Sequence, residues 1–302
     1  MIKNHYIPQK YLKGFTNESG KVFCYGENSE PFEIKPKNIA YEKGLYSDET
    51  ETYLANEIEE PFNQIIYKML SREKFVGKDR EKISKYLVVL LKRTIKNRFQ
   101  YEKSAGSIAE DATEKLVQKV EDEEIFANMQ KELVIQQLLL GMSNFKNNPS
   151  REVWEDIMKP EATPSITTAI NLMQWTIFVA KKQSFFITCD HPIFFHAEIG
   201  IGGAPYSTMS VPLNQKYCLF LYWTDTFPPD YVYANEKIVK QINIRTIYNR
   251  YQQVYSPRNE EWIINYLHRH QLPEHIIPKG SIPKANYFSM KKIHNDYEER
   301  YK

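Results

Sequence analysis

Phe185-Phe186-Ile187-Thr188-Cys189-Asp190-His191-Pro192 decides how the rest of the chain is read. An apolar run of aromatic and β-branched residues stops abruptly at a carboxylate, an imidazole and a proline, which is how a strand reaches a turn. A strand ending this way delivers polar side chains to the rim of a sheet, where sites are often built. Just upstream, Gln174-Trp175-Thr176-Ile177-Phe178-Val179-Ala180 has the same β character. Lys181-Lys182-Gln183 between the two runs reads as a short turn, so the pair is expected to form a hairpin.

Working outward, residues 209–213 and 217–223 read as two strands around Asn214-Gln215-Lys216, with 200–203 a flexible loop and Pro228-Pro229 closing that unit. Residues 253–256 make a short strand. Near the start, residues 21–25 and 32–35 flank Gly26-Glu27-Asn28-Ser29 and read as a second hairpin. The middle of the chain has helical periodicity instead. Residues 52–71 carry Leu54, Ile58, Phe62, Ile65, Ile66 and Met69, with Pro61 inside to kink or restart the helix. Residues 79–103 carry Ile83, Leu87, Leu90 and Thr94 as an inner stripe, and the acidic stretch 104–135 reads as an antiparallel partner helix. Shorter helices are expected at 150–159 and 260–270, and Asn235 can cap one running to about Arg250. The expected fold is therefore α+β: an antiparallel sheet from N- and C-terminal strands against a central helical layer. One domain is expected over residues 1–280, followed by a polar tail, 281–302.

Totals narrow the function class. Forty Lys and Arg against 38 Asp and Glu leave a net charge of +2, so no global field favours nucleic acid. No apolar run approaches the roughly 20 residues of a membrane span. Three cysteines, Cys24, Cys189 and Cys218, have no CxxC spacing, and reduced thiols in a cytoplasmic protein are expected. Walker, Rossmann, GxSxG and HExxH motifs are missing.

The candidate chemistry lies in scattered polar residues. Asp190 at a strand end suits a metal ligand or a base, and equally a turn carboxylate that accepts backbone N–H groups. His5, before a short helix that starts near Pro8, suits acid–base work or a buried structural hydrogen bond. Glu59 and Arg93 each border an apolar helical face, so Arg93 either binds a phosphate or pairs with Glu59. Gln9, Arg98 and His191 are candidates for substrate contacts, and Lys92, Lys96 and Arg98 for a phosphate patch or a solvated face. Cys189 reads as a core thiol.

These residues fall into an ordered pattern: His5, Pro8, Tyr11, Leu12 and Phe15; Pro36, Asn38 and Tyr46; Ile58-Glu59; Arg93-Thr94-Ile95-Lys96-Asn97-Arg98; Cys189-Asp190-His191-Pro192; Pro212-Leu213. The pattern resembles the DUF4238 family over most of residues 5–257. Ile95 stands where that family usually has proline, and His191 where it usually has asparagine. The resemblance supplies positions and no chemistry. From the residue types, the leading expectation is a hydrolase acting on a phosphate-bearing substrate, nuclease-like and metal-assisted by a divalent ion, with nucleic acid or a nucleotide as partner. His5, Glu59 and Asp190 would be its catalytic residues, with His5 and Asp190 brought to one rim. The alternative is a non-catalytic binding module for a nucleotide, peptide or protein, in which the same His, Glu, Arg and Asp form a buried network.

Overall fold

The computed structural model describes residues 3–27, 29–73, 77–122, 128–147, 149–181, 183–196, 207–223 and 229–268. The chain opens with β1 (Lys3–His5), α1 (Gln9–Lys13), and a hairpin of β2 (Val22–Gly26) and β3 (Ser29–Ile34). The strand β4 (Tyr41–Lys43) returns to pair antiparallel with β1. A run of helices follows: α2 (Asp48–Tyr53), α3 (Glu60–Ser71), α4 (Gly77–Lys92), α5 (Ile95–Asp122), α6 (Asn128–Asn147), α7 (Arg151–Met158) and α8 (Pro164–Leu172). The C-terminal part carries β5 (Gln174–Ala180), β6 (Thr188–Cys189), β7 (Phe194–His196), β8 (Thr208–Pro212), β9 (Tyr217–Tyr222), β10 (Tyr231–Ala234), α9 (Glu236–Asn249), β11 (Gln253–Ser256) and α10 (Glu261–Leu267). The fold is α+β.

Two larger sheets form among the described residues. One has the order β10-β5-β9-β8-β7, antiparallel except where β10 lies parallel to β5. The other, β3-β2-β11-β6, is antiparallel throughout and joins the two ends of the sequence, with Tyr25 opposite Val254. A lone hairpin is marginal in water, and β2 gains its burial from the rest of the molecule. Val22 and Cys24 share one apolar core with Ile177, Val211 and Leu219 of the first sheet and with Ile58 and Leu87 of the helical layer. The buried Tyr11 phenol ties the sheets together: it donates to the Pro212 carbonyl at 2.7 Å and lies 2.9 Å from Thr188 Oγ1.

The expected hairpin of residues 174–188 does not form. Both flanks of β5 are taken, by β9 and by β10. Residues 183–187 instead cross from one sheet to the other without a strand partner, and a side chain stands in for one. Asn243 of α9 accepts from the Ile187 N–H at 3.1 Å and donates to the Phe185 carbonyl at 2.8 Å. Periodicity cannot distinguish these arrangements, because an apolar run looks the same whether a strand or an asparagine satisfies its backbone.

The helical layer also departs from expectation at two points. The helix expected over 79–103 stops after Lys92 and restarts at Ile95, so Lys96 and Arg98 belong to α5 together with the acidic residues of its later turns. Charge balance is achieved along α5, through Arg98–Glu102 and Lys115–Asp111 pairs, and α6 is its packing partner. At Pro61 the chain stays helical, and the residues before it take an unexpected form. Residues Leu54–Glu59 form a π-helical turn in which the Glu60 N–H reaches back to Ala55. Proline has no N–H to give to a carbonyl four residues back, and a wider turn just before it absorbs the misfit. The loop at 200–203, Pro228 and the tail 281–302 lie outside the described residues.

Asn243→Leu keeps the size of the buried side chain and orphans the Ile187 N–H and the Phe185 carbonyl. Each unsatisfied group costs about 1–3 kcal/mol. Urea unfolding of this variant is expected to show a loss of at least that size, and an unchanged midpoint would mean the crossing segment does not depend on Asn243.

Candidate functional site

The break between α4 and α5 is written into Arg93-Thr94-Ile95-Lys96-Asn97. Thr94 acts as an N-cap, its hydroxyl accepting from the Asn97 N–H at 3.4 Å. The Asn97 side chain turns back and donates to the Leu91 carbonyl at 2.6 Å, satisfying an acceptor at the end of α4. Arg93 and Thr94 are both buried, and they face different networks.

Arg93 enters the first network. Its Nη1 donates to Glu59 Oε1 at 2.6 Å and its Nη2 to the His5 carbonyl at 2.5 Å. The expected Glu59–Arg93 pair is thus present, with the arginine side chain 2 % exposed and the glutamate 24 %. The Tyr46 hydroxyl donates to the Arg93 carbonyl at 2.9 Å, and its ring stacks on Trp154. Burial acts against the guanidinium charge, but Tyr46 and Glu59 outweigh it, and the Arg93 pKa is raised. Glu59 reaches this position as the last residue of the π-helical turn.

His5 contributes its carbonyl to Arg93 and is half-buried. Its ring lies 5.5 Å from that of Tyr41, and Gln9 Nε2 approaches its Nδ1 at 3.4 Å. Burial lowers the imidazole pKa, the Lys37 backbone acts to raise it, and Arg93 lowers it further. The buried His5 Nε2 has no hydrogen-bond partner among the described residues.

Thr94 enters the second network, with its Oγ1 2.7 Å from Nδ1 of the buried His191. Next to it, Asp190 closes the turn between α9 and β11. Its Oδ1 accepts from the Tyr251 N–H at 2.8 Å, and its Oδ2 from the Gln252 and Gln253 N–H groups at 2.7 and 2.9 Å. Burial raises the Asp190 pKa above the usual carboxylate range, and these three donors offset only part of the rise. Asp190 therefore does what a turn carboxylate does, but for a turn about 60 residues downstream. Asn249 donates to the His191 and Ile193 carbonyls, and Lys96 donates to the Asn249 carbonyl. Cys189 is buried, and burial pushes its thiol pKa up.

The expected residues thus divide into two sets. His5, Gln9, Glu59 and Arg93 meet in one network, and Asp190 and His191 in the other. No hydrogen bond joins His5 to Asp190 among the described residues. Arg98 belongs to neither, pairing with Glu102 at 2.9 Å over the Trp154 ring. Lys92 is also occupied, donating to the Ile157 carbonyl and to Thr163. Among the described residues, no group of three or more His, Cys, Asp or Glu side chains is placed to hold a metal ion. Sequence reading missed Thr94, Asn97, Asn243 and Asn249 as polar hubs. It also missed Asn4, which donates to Glu51 and accepts from the Tyr46 N–H. Short polar residues in apolar surroundings were the available signal.

His191 supplies a pH test. Burial, helped by Lys96, holds its pKa down to about 3. An unfolded chain takes up that proton near pH 6.5, so the contribution to stability is full above about 6.5 and falls away as pH drops toward 3. His191→Asn removes the titrating group. Between pH 7 and pH 4 the parent is expected to lose roughly 3 kcal/mol relative to the variant. Parallel stability–pH curves for the two proteins would contradict the assignment.

A family model described as a protein of unknown function, DUF4238, matches residues 3–260. No curated protein and no solved structure matches the chain significantly. No helix among the described residues is long and apolar enough to cross a membrane. The match spans both sheets, the helical layer and both polar networks, and the chain belongs to the DUF4238 family.

Proposed function

We propose that the protein is a non-catalytic binding module, with a nucleotide, peptide or protein as ligand. One observation carries this reading: the best catalytic candidate, Asp190, is only 3 % exposed, and both its oxygens already accept backbone N–H groups. A carboxylate serving as a base or metal ligand needs a lone pair directed at substrate, water or ion. Arg93 points the same way, since both its terminal nitrogens hold Glu59 and the His5 carbonyl. The three free, buried cysteines support a cytoplasmic setting.

A second reading, hydrolysis of a phosphate-bearing substrate, is favoured at one corner only. There His5 has an unpartnered Nε2, and Glu59, held by the same Arg93 that bonds the His5 carbonyl, is partly exposed.

The two readings separate on Asp190→Asn and Glu59→Gln, each assayed for melting temperature and for hydrolysis of nucleoside triphosphates and single-stranded DNA and RNA with added magnesium, manganese or zinc. The binding reading expects no turnover by the parent and lowered melting in both variants. Turnover by the parent that Glu59→Gln abolishes at unchanged melting temperature would establish the hydrolase instead.

A further inference from the structure

A cavity of about 650 Å³ opens where the crossing segment 183–187 leaves the first sheet. Its walls include Lys181, Lys216 and Arg258 and, among the described residues, no carboxylate. All three cations are exposed, and none forms an ion pair among the described residues. Lys21, which lines the next hollow, is by contrast paired with Glu33 at 3.2 Å. Three cations with no ion-pair partner among the described residues, around one concavity, favour a multiply charged anion.

Two aromatic rings accompany the charge. The Arg258 guanidinium lies 4.9 Å from the Phe185 ring centroid, which restrains its plane while leaving its N–H groups to bond outward. Tyr233 is 62 % exposed. Its ring is braced by the Arg72 guanidinium at 5.2 Å, and its hydroxyl accepts from Arg72 Nη2 at 3.1 Å. An exposed ring held in place is a stacking platform, and base–aromatic stacking is worth about 1–3 kcal/mol.

The frame is also rigid. Asn214 Oδ1 accepts from the Lys216 and Tyr217 N–H groups and fixes the turn. The Lys216 carbonyl accepts from the Ala180 N–H, and the Gln215 carbonyl from the Phe186 N–H, both at 2.8 Å. On the far side the Gln215 N–H donates to the Gly14 carbonyl at 3.1 Å. A Cβ on Gly14 would meet the Asn214 Cβ at 2.9 Å, so only glycine admits this approach. A turn held from both sides lowers the ordering cost of binding.

We infer that this cavity binds a nucleoside phosphate, with its phosphates against Lys181, Lys216 and Arg258 and its base on Tyr233. The assignment rests on the binding-module reading and gives it a ligand class. Size and charge select a small ligand over a strand. The volume suits a small molecule, and the positive stretch ends at the adjoining hollow, where Glu18 and Glu33 line the wall beyond Gln215 and Arg258. A polynucleotide running through would have to pass those carboxylates.

The test is titration calorimetry of the full chain with ADP, GDP, UDP, pyrophosphate and a ten-nucleotide single strand. The parent is compared with Lys216→Glu/Arg258→Glu and with Tyr233→Ala, each checked for an unchanged melting temperature. At least one of the three nucleotides is expected to bind the parent. The double charge reversal should weaken it at least tenfold, and Tyr233→Ala should weaken it about fivefold or more while leaving pyrophosphate unchanged. Absence of any nucleotide binding by the parent overturns the proposal. So does nucleotide binding that the double variant retains in full, which would leave the binding reading standing with its site elsewhere. Preference for the single strand by more than tenfold overturns the choice of a small ligand. Turnover removed by Glu59→Gln defeats the binding reading without touching these binding data.

Discussion

The ion pair between Arg93 and Glu59, 2.6 Å long, exists because a helix stops for two residues. A charge as deeply buried as that of Arg93 is tolerated only when paired and hydrogen-bonded. Here the partners come from three separate parts of the chain: Glu59 from the π-helical turn, the His5 carbonyl from the first strand, and Tyr46 from the segment after β4. Moving any of them leaves a charge or a carbonyl unsatisfied, so the N-terminal segment and the helical layer are held in one arrangement. Thr94, the other residue of the break, caps α5 and contacts His191, which connects the same joint to the C-terminal sheet.

Carboxylates in this protein repeatedly do the work of backbone. Asp190 gathers three N–H groups that the turn after α9 could not otherwise satisfy. Glu155 does likewise at the start of α2, accepting from the Ser47 N–H and hydroxyl and from the Thr50 hydroxyl, and pairing with Arg151. Asn243 bonds one edge of the crossing segment, through the Phe185 carbonyl and the Ile187 N–H. An orphaned buried polar group costs more than a typical hydrogen bond contributes. Side chains recruited in this way fix positions that strand pairing leaves open. They also account for polar residues beside apolar runs without invoking catalysis.

Much of the fold was legible in the sequence because it rests on short-range pattern. The N-terminal hairpin, strands β8, β9 and β11, and the Asn235 cap of α9 follow from turn residues and apolar spacing. The Glu59–Arg93 pair was legible too, since each residue sits at the border of a helical stripe. Other features were hidden for physical reasons. The partners of Asp190 lie in a turn far downstream, and nothing local to Asp190 marks them. The three-residue strands β1 and β4 are too short to show alternation. The break at Arg93-Thr94 falls inside a continuous apolar stripe and depends on Thr94 and Asn97 bonding to backbone, which propensity does not reveal. The cavity beside Tyr233 collects residues from four stretches of chain, and only folding brings Lys181, Lys216 and Arg258 together.

The inferred ligand cavity and the structural networks therefore lie in different places in this molecule. The buried networks hold the sheets and helices in register, while unpaired cations and an exposed ring gather at the rigid mouth between the crossing segment and the β8–β9 turn. The division depends on the Arg93-Thr94 break acting as one joint for both networks. A double-mutant cycle of Glu59→Gln with Thr94→Val, read by chemical denaturation, measures this directly. A shared joint is expected to give a coupling energy of at least about 0.5 kcal/mol, since either loss loosens the partners of the other. Losses that add to within about 0.3 kcal/mol would mean that the two networks are independent, and the break would then be no more than a place where two helices meet.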